Sequence, residues 1–79
     1  MISKINKEQY ELLCESKFWD GEEDFHELLE NITGITAKSY MGYSYYDGRG
    51  NYIGDSNDVT IRDLLNSAYI EIEEEVKNG

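Results

Sequence analysis

The chain has no proline, a single cysteine, a single histidine and only seven Lys and Arg residues, and each shortage excludes something. With Cys14 alone no internal disulfide forms, so a reducing compartment is expected rather than a disulfide-stapled secreted scaffold. With His26 alone, the three or four strong ligands of a zinc site are missing. Seven cations against 17 carboxylates leave a formal charge of −10. That excess argues against direct binding of nucleic acid or of an anionic membrane, because both need Lys and Arg to displace counterions. No apolar run approaches the ~18 residues of a membrane span, and the first residues lack the apolar stretch of a signal peptide. A soluble cytoplasmic chain is expected, in the host cytoplasm if phage-encoded.

What is present suffices for one small fold. At 79 residues the chain is expected to form a single acidic domain, 1–79, burying about 60% of its unfolded surface, too little for a roomy catalytic cleft. Apolar residues at 39% and aromatics at 13% set it apart from disordered acidic tails. Asn6 with Gln9 three residues on, and Ile5 with Tyr10 as a staple, predict a helix from Lys7. Its expected inner face is Tyr10, Leu13, Cys14 and then Lys17 or Phe18, with Phe18 and Trp19 in the core. Asp20 with Glu23 predicts a second cap, and Phe25, Leu28, Leu29 and Ile32 carry an unbroken helical stripe that ends at Gly34.

From Thr36 to Asp55 the composition turns to Tyr, Ser, Gly and Asn. Two short strands about Asp47-Gly48-Arg49-Gly50 are expected there, with at least one of the adjacent Tyr45 and Tyr46 exposed. Ile61, Leu65, Ala68, Ile72 and Val76 predict a final helix of four to five turns. The alternation Tyr69-Ile70-Glu71-Ile72-Glu73 offers a strand in its place. The expected architecture is α+β in the order α-α-β-β-α, a Tyr-rich antiparallel hairpin packed on helices.

No catalytic constellation survives inspection. His26-Glu27-Leu28-Leu29-Glu30 resembles the zinc-protease pattern with its second histidine replaced by Glu, and reads as a polar helix face. Asp47, Arg49, Asn51 and Asp58 fall at calcium-loop offsets, but Arg49 occupies a ligand position and Tyr52 stands where that loop requires glycine. Cys14 lies on an inner helical face without a neighbouring base, and Gly48 and Gly50 lack the helix and Lys of a phosphate loop. Neither an enzyme, a cofactor nor a metal is expected.

The negative charge, by contrast, is organised. Asp20, Glu22, Glu23, Asp24, Glu27 and Glu30 fall within eleven residues that contain no Lys or Arg. Glu23, Glu27 and Glu30 share the face opposite Phe25, Leu28 and Leu29. Helical carboxylates at i, i+4 stand ~5–6 Å apart, a spacing of the same order as phosphates along a strand. The expected partner-binding residues are Glu22, Glu23, Glu27 and Glu30 as one row and Glu71, Glu74 and Glu75 as a second. Asp47, Asp55 and Asp58 contribute from loops, and Tyr45 and Tyr46 add flat contact area.

In size, charge, and clustering of Tyr and acid, these residues resemble the small acidic inhibitors with which phages block host defence, the DNA-mimic anti-restriction and anti-CRISPR proteins. The resemblance implies a stoichiometric inhibitor in the basic channel of a nuclease or CRISPR effector, with charge steering the encounter. The opening helix, acidic second helix and Tyr45-Tyr46 pair also resemble the colicin-nuclease immunity proteins. From those the chain departs by lacking a proline after the tyrosines and by carrying Gly42, Gly48, Gly50 and Gly54. The remaining alternative is a structural or oligomerising protein whose charge serves solubility, and a free hairpin edge leaves room for a homodimer.

Overall fold

The computed structural model describes residues 3–39, 41–55 and 59–73, and within them the chain is α+β. The elements are β1 (Lys4–Asn6), α1 (Lys7–Trp19), α2 (Glu22–Thr33), β2 (Thr36–Ser39), β3 (Tyr43–Tyr46), β4 (Tyr52–Asp55), α3 (Ile61–Ser67) and β5 (Glu71–Glu73). Strands β2, β3 and β4 form an antiparallel sheet in that order, while β1 and β5 pair in parallel.

Local chemistry accounts for the helix starts. The Asn6 side chain accepts from Gln9 N at 2.8 Å and the Gln9 side chain accepts from Asn6 N at 2.9 Å, a closed capping box. Thr60 and Asp63 repeat the device at α3. Helix α2 is capped by Gly21, without a side-chain bond, and not by Asp20. Asp20 instead ends α1, its N–H reaching Ser16 O at 2.9 Å and its carboxylate accepting the Ser16 hydroxyl at 2.9 Å. At its other end α2 stops at Gly34, whose φ of 80° is the left-handed cap the sequence anticipates.

The core gathers Ile5, Leu13, Phe25, Leu29, Ile35, Tyr45, Ile61, Leu64, Leu65 and Ile70. Phe18 and Trp19, expected inside, are 76% and 78% exposed. At about 100° per residue they stand roughly 140° and 120° away from Leu13, so a helix that buries Leu13 turns both rings outward. Ser16 is buried in their place, and Cys14 packs half-buried at the core's edge.

The final helix is shorter than its stripe predicts. Beyond Ser67 the chain reverses through Tyr69 at φ 58°, Ile70 N bonds Leu65 O at 2.8 Å, and β5 follows. Ile72 aligns with the buried Ile5 of β1, and Glu71 N bonds Ser3 O at 2.9 Å. On this strand Ile70 and Ile72, two residues apart, share one face, Ile70 buried in the core and Ile72 partly buried against it. Val76, assigned to that helix by periodicity, lies outside the described residues.

The hairpin forms as expected, with β2 as an unanticipated third strand. Tyr45 is buried and Tyr46 half-buried, so neither member of the pair is exposed. Across the β3–β4 ladder Tyr45 faces Gly54 and Tyr46 faces Tyr52, which leaves Ile53 as the extra residue of a bulge.

Candidate functional site

The carboxylate row on α2 stands in the structure as the spacing predicts. Glu22, Glu23, Asp24, Glu27 and Glu30 are exposed, and Glu23, Glu27 and Glu30 stand opposite the buried Phe25 and Leu29. Among the described residues the ion pair that forms joins Lys7 and Glu11 at 4.0 Å, and none of the α2 carboxylates has such a partner. Two further cations lie over aromatic rings instead, Lys38 over Tyr46 at 5.0 Å and Arg62 over Tyr10 at 5.2 Å. Glu22, Glu23 and Asp24 occupy the first turn, where the helix dipole favours them, whereas Glu27 and Glu30 lie beyond its reach and no basic residue balances them in the last turn.

One edge of this row is tied to the sheet. The Tyr43 hydroxyl donates to the Glu22 carboxylate, and that bond, partial burial and the nearby charges of Glu22 and Glu23 push the Tyr43 hydroxyl above its ordinary range. His26, one turn on from Glu22, has Nε2 2.8 Å from the Tyr45 hydroxyl and its ring 4.4 Å from that of Tyr43. These side chains, with Lys17, Asp20 and Phe25, line a cavity of about 220 Å³ between α2 and β3. Burial also raises the Tyr45 hydroxyl, helped by Glu22 and Tyr43.

Desolvation lowers the His26 pKa from 6.5, and Glu22 opposes the shift. The folded state therefore binds fewer protons than the unfolded chain below pH 6.5, and stability present above that pH declines as pH falls toward the folded pKa. Urea unfolding at pH 7.5 and 5.5 is expected to show the lower midpoint at 5.5. A His26→Gln variant is expected to lose much of this difference while keeping a polar partner for Tyr45.

The remaining expected contact residues are distributed differently. Asp47 spends its carboxylate on its own turn, accepting Arg49 N and Asn51 N at 2.9 Å and the Asn51 amide at 3.3 Å. The bonds from Asn51 and Arg49 hold the Asp47 carboxyl below its usual 3.8, although partial burial opposes them. Asp55 is exposed on β4 within 3.4 Å of the Ser44 hydroxyl. Glu71 is exposed on β5, a strand rather than the expected final helix, so it does not stand in a helical row. Asp58, Glu74 and Glu75 lie outside the described residues. Tyr45 belongs to the core, while Tyr46 packs edge-on to Tyr52 with centroids 5.9 Å apart. His26, expected on a polar helix face, is instead half-buried against Tyr43 and Tyr45, a contact the sequence reading did not anticipate; the available signal is that His26 falls between the acidic and apolar stripes of α2, where a side chain meets the neighbouring layer.

A larger hollow of about 490 Å³ lies between the α2 C-terminus, the β3–β4 turn and Tyr69, away from the α2 row. Among the described residues no group of three or more His, Cys, Asp and Glu is placed to hold a metal ion, and no helix is long and apolar enough to cross a membrane. Comparison with family models, with curated proteins and with solved structures finds no match to this chain.

Proposed function

We propose that this protein is a stoichiometric inhibitor that imitates a nucleic-acid backbone and blocks the basic DNA- or RNA-binding site of a host-defence nuclease, of a restriction or CRISPR system. The observation that carries the reading is the exposed row Glu23, Glu27 and Glu30 on α2, unpaired with any described cation and continued by Glu22 at its sheet-side edge. A face kept only for solubility gains by interspersing Lys at i, i+4, whereas this one accepts like-charge repulsion along its length. Such an arrangement is worth its cost where a partner supplies the missing cations. Oriented carboxylates on a rigid helix then steer association and neutralise Lys and Arg that otherwise hold phosphates. In this reading the protein acts by occupancy and turns over no substrate.

The test is a nuclease-treated pull-down from bacterial lysate at 50 and 500 mM salt. The expected result is retention of one nucleic-acid-processing enzyme, weakened by salt, competed by added DNA or RNA, and inhibited by the chain at one-to-one stoichiometry. Retention of a salt-sensitive crowd of basic proteins with no inhibition would return the acidity to a solubility role.

A further inference from the structure

The C-terminus of α1 presents a feature that phosphate imitation alone leaves unused. Phe18 and Trp19 are exposed, their ring centroids 4.8 Å apart at 75°. Leu12, two turns back on the Trp19 side of the helix, is also exposed. A domain this small has little apolar surface to spare, so leaving its two adjacent bulky aromatics in water forfeits burial it could use. The setting is acidic. Glu15 lies on the same outer face, and Glu22 and Glu23 follow Trp19 within four residues, at most about 14 Å of chain. Exposed aromatic rings and exposed carboxylates thus lie within a few residues of one another at the α1–α2 corner.

The two forms of nucleic acid differ in this respect. A duplex shows phosphates outside and keeps its base faces stacked within. A single strand in a protein channel shows phosphates to Lys and Arg and base faces to stacking side chains. A second copy of this chain is the poorer occupant, because the corner is acidic and the chain carries a charge of −10. We infer that the α1–α2 corner docks in a single-strand nucleic-acid site of the partner protein, with Phe18 and Trp19 in base-stacking positions and Glu22, Glu23 and Glu27 in phosphate positions. This inference rests on the inhibitor reading and narrows its target from nucleic-acid sites in general to those that stack unpaired bases.

Trp19 is the chain's one tryptophan, so 5-fluorotryptophan labelling gives a single fluorine resonance that reads this corner directly. The probe is the purified protein that the chain retains from lysate. On complex formation the resonance is expected to shift and to lose its H2O/D2O solvent isotope shift. Phe18→Ala and Trp19→Ala are each expected to weaken binding at least tenfold, as buried aromatic anchors do, with thermal midpoints unchanged because both rings are exposed in the free protein. A single-stranded 20-mer should displace the chain where the duplex of the same sequence does not. A persisting isotope shift in the complex overturns the inference while leaving the inhibitor reading intact, provided nucleic acid still competes. Equal competition by duplex also overturns it. Concentration-dependent burial of Trp19 in the chain alone would make a second copy the occupant. If Trp19 is buried by a partner that no nucleic acid displaces, both the inference and the inhibitor reading fall, and retention of no protein has the same effect.

Discussion

Replacing Glu23, Glu27 and Glu30 together with Lys is expected to weaken partner binding about a thousandfold or more while leaving the fold in place. All three side chains are exposed on the outer face of α2 and none is ion-paired with a described residue. The exchange moves the formal charge from −10 to −4 and turns three attractions to a basic site into repulsions. Close charge pairs at interfaces couple strongly, and a like-charge juxtaposition adds its own penalty, so the combined effect exceeds what any single rim charge would lose. Association should slow first, because steering depends on the summed field. Glu22 is deliberately left unchanged. It accepts the Tyr43 hydroxyl and lines the cavity with His26, so its loss would confuse contact with architecture. Circular dichroism and the thermal midpoint should match the parent within a few degrees, since exposed substitutions of this kind usually lie within about 0.5 kcal/mol each. Undiminished inhibition by a folded triple variant would end the mimic reading.

Gly54→Ala is expected to cost about 2–4 kcal/mol, the sum of an unfavourable backbone conformation and a crowded methyl group. Gly54 has φ 151°, in a region that side-chain-bearing residues rarely adopt. A Cβ there would lie 2.7 Å from Val59 Cγ1, and a β-branched side chain has little rotamer freedom with which to retreat. The position also faces the buried Tyr45 beside the β4 bulge, so displacement would propagate to the sheet's contact with α2. Domains of this size have roughly 4–12 kcal/mol in total, which makes the loss a large fraction. A fall of at least about 8 °C in the thermal midpoint follows at 4–8 °C per kcal/mol. Gly48→Ala is the control: nothing lies within 4 Å of its added Cβ, and its midpoint should barely move. Equal midpoints for the two variants would show that the Val59 contact and the backbone conformation carry no cost.

Much of the candidate site is legible in the residues themselves because it depends on one helix. The opposition of Glu23, Glu27 and Glu30 to Phe25 and Leu29, the stop at Gly34 and the box at Asn6 are all settled within a few residues of chain. Hydrogen bonds and side-chain periods at that range leave few competing arrangements. The turn at Asp47 is equally local, since its carboxylate closes on Arg49 and Asn51. At the end of α1, Phe18 and Trp19 follow Leu13 by five and six residues, a separation that helical geometry places outside rather than in the expected core.

The amino-acid sequence by itself determined the acidic row, the capped start of α1, the Gly34 stop of α2 and the hairpin, each through contacts between near neighbours. Tertiary structure alone decided that Glu71–Glu73 is a strand, since Ile70 and Ile72 suit a helix or a strand until Ile5, more than sixty residues away, supplies the partner. It likewise decided that Tyr45 closes the core against His26 while Tyr43 turns to Glu22, and that Gly54 must be glycine. Those outcomes depend on which surfaces meet when separate elements pack, and the free energy of burying one surface against another is absent from any single segment of the chain.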